Sequence, residues 1–363
     1  MKNTFGNSLT VTLFGESHKE VIGAVLDGIA PGIVIDHDTI SEKLALRRPF
    51  GKISTARCEA DHYTIISGVF EGKTTGAPLT VLIPNENAKS GDYERNVARP
   101  AHADYPAFVK YHGYEDHRGG GHFSGRLTAP LVVIGAILQK ALADKGILIG
   151  THIKRLAGID DAPFTSLFED VTALNQKRFA TLSEESEKHM IAAIEKAASE
   201  GDSVGGILET AVIGLPAGIG EPWFDSVESL LSHAIFSIGG VKGIAFGDGF
   251  ALCDQKGSEA NDALRYENSK IITLTNHQGG IGGGITNGMP ILFTTAVKPT
   301  PSIFKEQKTV DLLTNENTTL SLKGRHDPCI AHRVRAVVDA MTAFVIADLL
   351  TERFGTDYLS KAE

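Results

Sequence analysis

The chain has 363 residues, of which 42% are hydrophobic and 22% are charged, and its formal net charge is −9 at pH 7. This balance is typical of a globular protein with a substantial core, and an acidic total disfavours a general nucleic-acid binder, which needs a basic surface. The cysteines lack metal-ligand spacing, and no run of ~18 uninterrupted apolar residues indicates a membrane span. We therefore expect a cytoplasmic protein with no metal site and with no nucleic-acid or membrane partner.

Apolar patterning predicts the secondary structure in chain order. Short apolar or alternating runs closed by Gly, Pro or Asn predict strands over residues 9–14, 65–70, 79–83, 207–213 and 291–297. Apolar residues at three-to-four spacing predict helices over residues 39–46, 127–144, 184–198, 227–234 and 334–350. This mixture of strand clusters and separated helices indicates layered α/β or α+β packing, and we expect an α+β fold with a layered mixture of helices and strands.

The sequence also indicates the domain organisation of the chain. No Gly/Ser-rich linker, charge block or fixed-period repeat interrupts the sequence, which predicts a single large domain over residues 1–363. The polar stretch 160–186 is the expected position of a variable insertion.

The first segment that carries chemistry directly follows the first predicted strand and reads Gly15-Glu16-Ser17-His18. An imidazole at a strand end can donate a proton to a leaving group near neutral pH. The alternative is a turn in which His18 only caps backbone groups. Neighbouring strand residues point to opposite sides, so a Ser17–His18 nucleophile pair is poorly supported.

A second segment, residues 99–104, begins a helical pattern in which Pro100 suits the first turn and His102 lies near the N-terminal end. The positive end of such a helix would favour a neutral imidazole. The alternative is an ordinary helix cap on the surface.

The third segment, residues 116–126, contains three consecutive glycines between charged side chains and leads into the predicted helix 127–144. Bare backbone N–H groups, a helix N-terminus and the guanidinium groups of Arg118 and Arg126 predict an anion site. The segment is neither a P-loop nor a dinucleotide fingerprint, because the Lys-Ser/Thr ending and the required glycine spacing are missing.

Two further glycine-rich stretches, 279–288 and 239–243, can bring bare backbone close to a planar cofactor. The first feeds a strand that ends in Lys298-Pro299-Thr300-Pro301-Ser302, where a lysine and hydroxyls can reach a phosphate. Together the two stretches indicate one large ligand rather than isolated turns.

The last charged segments contribute arginines and a carboxylate. Arg325 can pair with phosphate, Asp327 can accept a proton, and Arg333 can hold a carboxylate. The alternative is a charged turn capped by Asp327. Arg47 and Arg48 end the predicted helix 39–46, where cations ordinarily complement the helix dipole at the surface.

In this order and at these separations, the segments resemble the chorismate synthase family along nearly the whole chain. The matching motifs are Gly-Glu-Ser-His, Arg-Pro-x-His-Ala-Asp, the triple-glycine Ser/Arg loop, Gly-Gly-Ile before Lys-Pro-Thr, and Gly-Arg-His-Asp-Pro-Cys. This resemblance implies 1,4-elimination of phosphate from 5-enolpyruvylshikimate 3-phosphate to give chorismate, with reduced FMN required and no net redox change. It also implies a β-α-β sandwich core, a homotetramer and a separate flavin reductase.

The resemblance assigns roles residue by residue. His18 matches the residue that protonates the departing phosphate, His102 the one that keeps the reduced flavin correctly protonated, and Asp327, helped by Ser17 and Ser124, the acid that relays the proton from the flavin. The implied flavin contacts are His122, Phe123, Ser124, Gly239, Gly240, Gly283, Lys298, Pro299, Thr300, Pro301, Ser302 and Arg325. The implied substrate contacts are Arg47, Arg48, Arg126 and Arg333. The chain departs from the family pattern at Lys19, Ala101, His122, Phe123 and Pro301, none of which is a proposed proton donor or acceptor.

Two other interpretations of the sequence remain open at this point. An NAD(P)-dependent oxidoreductase would need a Gly-x-Gly-x-x-Gly turn after the first strand, and the first strand here is followed by a different sequence. A non-catalytic flavin- or anion-binding protein would tolerate replacement of His18, His102 and Asp327.

Overall fold

Two five-stranded antiparallel sheets frame the computed structural model, which describes residues 2–55, 59–86, 96–322 and 326–360. The strands are β1 (Thr4–Phe5), β2 (Thr10–Gly15), β3 (Val21–Asp27), β4 (Thr64–Ser67), β5 (Val69–Phe70), β6 (Lys73–Thr74), β7 (Leu79–Pro84), β8 (Leu148–Leu156), β9 (Ile159–Asp160), β10 (Gly206–Ile213), β11 (Val241–Phe246), β12 (Leu264–Glu267), β13 (Lys270–Thr273), β14 (Ile281–Gly282), β15 (Ile285–Thr286), β16 (Ile291–Val297), β17 (Gln307–Asp311) and β18 (Glu316–Leu320). The helices are α1 (His37–Arg47), α2 (Asp104–Tyr111), α3 (Thr128–Asp144), α4 (Leu167–Leu174), α5 (Glu184–Ser199), α6 (Val227–Phe236), α7 (Gly257–Ala260) and α8 (Ala331–Phe354). The first sheet has the order β1-β2-β3-β7-β4, the second has the order β11-β16-β10-β8-β9, and the other strands form two-stranded hairpins.

A layer of helices separates the two sheets. Helix α3 packs on β3 and β7 of the first sheet, α8 packs on β8 and β10 of the second, and the two helices pack against each other. Helix α8 is buried from Ala331 to Thr351 apart from Arg333, as expected for a helix covered on all sides. This arrangement confirms the predicted α+β fold with its β-α-β sandwich core.

The stretch Arg118–Asp144, which includes α3, is long and apolar enough to cross a membrane by length and composition alone. However, 67% of its most apolar window is buried inside the fold, against the first sheet and α8. The apolar composition of this stretch is therefore that of a helix in the core of the fold.

Most predicted elements are present within a few residues of their predicted ends, and two predictions were wrong. The predicted strand 65–70 is divided between two sheets, because Gly68 adopts φ +81° and turns the chain between β4 and β5. The helix expected to begin near Pro100 begins at Asp104 instead. Ala101 has φ +57°, which a continuing right-handed helix cannot include, so His102 lies in a turn before α2.

The stretch 160–186 packs on the chain's own second sheet. Val171 and Leu174 of α4 are buried, and Phe179 joins the hydrophobic core. Gly150 of β8 faces Val171, whereas its neighbour Thr151 donates a hydrogen bond to Asp339 of α8. Because successive strand residues face opposite sides, α4 covers the face of the sheet that α8 does not.

At this edge of the second sheet, His152 is buried between two carboxylates. Its Nδ1 lies 2.9 Å from Oδ2 of Asp161, and its Nε2 lies 3.0 Å from Oε2 of Glu209. Burial opposes the charged ring, but the two carboxylates outweigh burial and raise the pKa of His152 above its ordinary value.

We expect this pairing to stabilise the fold below neutral pH and to lose that contribution as pH rises. A pKa that is raised in the folded state contributes stability that is complete below the ordinary imidazole pKa of ~6.5 and disappears as pH passes the folded pKa. The His152→Gln variant should therefore lose about 1–3 kcal/mol of unfolding free energy at mildly acidic pH and less at alkaline pH. Urea unfolding of both proteins across this range checks the prediction, and a difference that does not change with pH would contradict it.

Candidate active site

A cavity of about 480 Å³ lies where the N-terminal ends of α3 and α8 approach the end of β16. It brings together fourteen of the predicted site residues, namely Arg47, His102, Phe123, Ser124, Arg126, Gly239, Gly240, Lys298, Pro299, Thr300, Pro301, Ser302, Asp327 and Arg333. Five others do not line it: Ser17, His18, Arg48, His122 and Gly283. Arg325 lies outside the described residues.

The triple-glycine loop, residues 119–121, contacts both predicted catalytic imidazoles, His18 and His102. Gly119, Gly120 and Gly121 have φ values of +59°, +83° and +52°. A Cβ atom on Gly119 would lie 2.1 Å from Cε1 of His18, and one on Gly120 would lie 3.3 Å from Cε1 of His102. Only bare backbone with positive φ fits here, so His18 and His102 both pack against this loop.

Ser17 holds His18 against the loop. The Ser17 hydroxyl lies 3.0 Å from Nδ1 of His18 and 3.2 Å from the carbonyl oxygens of both Arg118 and Gly119. Since a hydroxyl has one proton to donate, donation to a carbonyl leaves its oxygen to accept from the Nδ1–H of His18. The second nitrogen of His18, Nε2, is then the one that can exchange a proton with a ligand.

His122, which the resemblance assigned to the flavin, anchors the loop instead of lining the cavity. Its Nδ1 donates to the carbonyl oxygen of Gly15 over 2.8 Å, which ties the loop to the end of β2. The neighbouring Phe123 is 45% exposed and does line the cavity.

His102 belongs to a hydrogen-bonded group of three side chains, with Asp104 and Arg99. Arg99 donates to Asp104 from Nε over 2.8 Å and from Nη2 over 2.7 Å, and Nδ1 of His102 lies 3.1 Å from Oδ1 of Asp104. Burial opposes ionisation of Asp104, but the hydrogen bonds from Arg99 and His102 hold its pKa well below its usual range. The nearest charged groups to His102 are therefore Asp104 and Arg99, each 3.1 Å from its Nδ1, and not the end of α2.

Two of the predicted substrate arginines share one buried carboxylate that sequence reasoning missed. Arg47 Nη1 lies 3.0 Å from Oδ2 of Asp61, and Arg126 Nη1 bonds to Oδ1 of the same side chain. Arg126 also lies 3.1 Å from Glu59. Burial lowers the pKa of Arg47 to about 10, although Asp61 opposes this effect. The Glu-x-Asp pattern after the arginines of α1 was the available signal, because buried cations need counter-charges.

The other two predicted substrate arginines border this cluster: Nε of Arg48 lies 4.0 Å from Oδ2 of Asp61, and Nε of Arg333 donates to the carbonyl oxygen of Arg47 over 2.9 Å. Arg333 donates to Asp327 over 2.6 Å, so the predicted proton relay and the predicted carboxylate ligand form an ion pair. Asp327 also accepts from the backbone N–H of Thr55 over 2.9 Å. Arg48 lines a neighbouring cavity of about 540 Å³, on the other side of Asp61.

The wall formed by the end of β16 and the loop before β11 is mostly backbone. Gly239 has open space where a Cβ atom would be, and Gly240 has φ +95°. The buried Thr300 hydroxyl makes no hydrogen bond with the described residues. Lys298 donates to the carbonyl oxygen of Ala101 over 2.6 Å, and burial, together with nearby Lys242, lowers its pKa.

The described residues give the cavity a small positive excess in an acidic protein. Its lining holds the cations Arg47, Arg126, Lys298 and Arg333 and the carboxylates of Glu59, Asp61 and Asp327, which leaves one net positive charge before His102 is counted. Such a site attracts anions in spite of the overall charge of −9.

Gly283 lies outside this arrangement. It occupies the turn between β14 and β15 with φ +62°, and it does not reach the cavity of its own chain. Its assignment to the flavin stays a prediction.

Comparison with known proteins extends the likeness beyond the cavity. A profile of the chorismate synthase family matches residues 9–351. The chorismate synthase of Thermococcus gammatolerans is 45% identical over 350 residues, which cover 96% of this chain and 97% of that protein. That of Chitinophaga pinensis is 46% identical over 350 residues, with 96% of each chain covered. A crystal structure of a chorismate synthase superposes with a TM-score of 0.76 at 26% identity and covers 98% of this chain and 95% of that one.

Proposed function

The chain belongs to the chorismate synthase family, and on that premise we propose that it converts 5-enolpyruvylshikimate 3-phosphate into chorismate by 1,4-elimination of phosphate with reduced FMN bound. It is a carbon–oxygen lyase that acts on phosphate. The observation that carries the proposed reaction is the joining, in one cavity, of an imidazole, a serine hydroxyl, a carboxylate and four cations from segments far apart in the chain. An elimination of phosphate needs a proton removed and an anion held, which this set can do. Protonation of the leaving group falls to His18, which packs against the glycine loop that leads to Phe123 and Ser124 of the cavity.

The residues present fit a flavin phosphate and a planar ring. The bare backbone of Gly239 leaves open space. The Thr300 hydroxyl, which has no hydrogen-bond partner among the described residues, and the Lys298 ammonium offer donors at the edge of the same wall. We assign Phe123, Ser124, Gly239, Gly240 and residues 298–302 to this part of the site, with His122 anchoring the loop. The chemistry that bound reduced FMN supplies is electron donation that is recovered at the end, so the reaction has no net redox change.

The chain's own residues move and hold the protons. We assign His18 as the donor to the departing phosphate, which must then lie beside the backbone of Gly119, because His18 packs against that residue. We assign Nε2 as the nitrogen of His102 that exchanges a proton, since its Nδ1 faces Asp104. We assign Asp327 to relay the proton removed from the substrate, and Arg333 holds this carboxylate in place by donating to it over 2.6 Å.

The substrate carries a phosphate and two carboxylates, so binding requires several cations. Arg333 is the most accessible of the predicted arginines in this cavity, with 18% of its side chain exposed. The donors of Arg47 and Arg126 are engaged by Asp61 and by backbone or side-chain oxygens, so they contact the substrate only in exchange for these partners. We assign Arg47 and Arg126 two roles. They supply the positive field of the site, and they contact the substrate directly after such an exchange.

The test is an anaerobic assay with 5-enolpyruvylshikimate 3-phosphate and chemically reduced FMN, in which phosphate release and chorismate absorbance are followed together. We expect equal amounts of both products with reduced FMN and neither with oxidised FMN. Tight flavin binding without turnover would instead favour a non-catalytic flavin-binding protein.

We also propose a homotetramer located in the cytoplasm and supplied with reduced FMN by a separate reductase. The tetramer is supported by an exposed apolar hairpin, β12–β13, on which Leu264, Tyr266 and Ile271 are each more than 60% exposed. Surfaces of this kind are usually covered by a partner. Sedimentation equilibrium at micromolar concentration decides the oligomeric state, and a monomer would overturn this assignment.

A further inference from the structure

We propose that Asp104 is a positioning residue that holds His102 in the tautomer with a proton on Nδ1 and so presents Nε2 to the cavity. This inference rests on the proposed function for its catalytic consequence. The geometry of the ring can be tested without any turnover.

The first step is that Asp104 is itself fixed before it meets His102. Its Oδ2 accepts from the backbone N–H of Arg99 over 2.9 Å and from Nε of Arg99 over 2.8 Å, while Oδ1 accepts from Nη2 over 2.7 Å. The Arg99 side chain is 10% exposed and that of Asp104 is 19% exposed. A bidentate, partly buried pair of this kind has one orientation, so the carboxylate is a rigid acceptor.

The second step concerns the proton on the ring. Nδ1 of His102 lies 3.1 Å from Oδ1 of Asp104 and also 3.1 Å from Nη2 of Arg99. An ionised carboxylate can only accept and a guanidinium can only donate. Asp104 therefore favours the Nδ1–H tautomer and Arg99 favours the Nε2–H tautomer. The proposed role of the ring in the reaction distinguishes between the two.

The third step is that a ring which holds a proton during the reaction must at some stage be an imidazolium. In that state both nitrogens donate, so Nδ1 can pair with Asp104 and is repelled by Arg99. If Nδ1–H stays on Asp104 throughout, Nε2 gains and loses its proton without any movement of the ring. The opposite tautomer would force a reorganisation at each proton transfer, which preorganised sites avoid.

The fourth step places Nε2. A Cβ atom on Gly120 would lie 3.3 Å from Cε1 and 3.8 Å from Nε2 of His102, so this edge of the ring faces the glycine loop and not Asp104. His102 lines the cavity, with 22% of its side chain exposed. Nε2 is therefore on the side of the ring away from Asp104, in a residue that lines the cavity.

The experiment compares wild-type protein with Asp104→Asn and Asp104→Glu. Nitrogen NMR of histidine-labelled, flavin-free protein at alkaline pH reports the tautomer of His102, with a His102→Gln sample to assign its signals. We expect the Nδ1–H tautomer in the wild type and the Nε2–H tautomer in Asp104→Asn. We also expect kcat to fall by ~10² or more in Asp104→Asn with KM within a few-fold, as for loss of a general acid or base, and partial recovery in Asp104→Glu.

The matched control is Asp248→Asn, which breaks a second Asp–His pair outside the cavity. Nδ1 of His277 lies 2.7 Å from Oδ2 of Asp248, and neither residue lines the cavity. This variant should keep the kcat of the wild type. An Nε2–H tautomer in wild-type His102, or wild-type kcat in a folded Asp104→Asn protein, would overturn the proposal.

These measurements also distinguish failure of the proposed role of Asp104 from failure of the proposed function. If the wild type fails to release phosphate, the proposed function fails, and the tautomer of His102 still decides whether Asp104 positions the ring. If Asp104→Asn does not fold, the wild-type tautomer and the kcat of Asp104→Glu decide it, and a Glu variant with the Nε2–H tautomer and full activity would count against it.

Discussion

Replacement of His18 by alanine is expected to lower the turnover of 5-enolpyruvylshikimate 3-phosphate by ~10² or more, because the variant loses the imidazole that we propose protonates the departing phosphate. Ser17 accepts from Nδ1 of His18 in our assignment, which leaves Nε2 as the donor. His18 follows β2 and is not part of the hydrophobic core, so the fold should survive. The rate is measured anaerobically with reduced FMN.

His189→Ala provides the control for this variant. His189 is an exposed imidazole on α5, and its loss should change neither turnover nor the urea midpoint. Circular dichroism and urea unfolding verify that both variants fold. Wild-type turnover in His18→Ala would remove the proton-donor role from this residue.

Replacement of Asp61 by asparagine is expected to cost about 3–5 kcal/mol of unfolding free energy, the usual consequence of leaving buried charges without their partner. Arg47 and Arg126 are 7% and 8% exposed, and each takes one oxygen of the Asp61 carboxylate. The asparagine has nearly the same shape, so the loss reports charge and not packing. Urea unfolding at neutral pH measures it.

Two further variants make this result interpretable. Asp160→Asn removes a carboxylate from an exposed pair with Arg155 at 3.6 Å, where about 1 kcal/mol or less is expected. Adding Arg47→Met to Asp61→Asn should restore part of the stability, because one uncompensated cation is removed. A loss in Asp61→Asn no larger than that in Asp160→Asn would contradict the proposed charge cluster.

The helices and strands that were predicted correctly are those marked by residues close together in the sequence, such as a capping residue or a regular alternation of apolar side chains. Helices α1, α5 and α6 begin after Asp36, Ser183 and Ser226, whose side chains accept the first backbone N–H groups. Strand β16 occupies the predicted residues because its buried side chains alternate regularly. The missed strands β3 and β8 have runs of consecutive buried residues, and such runs do not distinguish a strand from a buried helix.

The amino-acid sequence by itself determined the positions of helices α1, α3, α5, α6 and α8, the α+β class, the residue types that carry the chemistry and the resemblance to the family, because each depends on local patterns or on motifs. Only the tertiary structure decided that Arg47 and Arg126 share Asp61, which lies 65 positions from Arg126. It likewise decided that Ser17 and His18 pack against Gly119 instead of lining the cavity. Pairings of this kind depend on which distant segments the sheets and helices bring together, and on the need of every buried charge for a partner, neither of which is written in any single stretch of the chain.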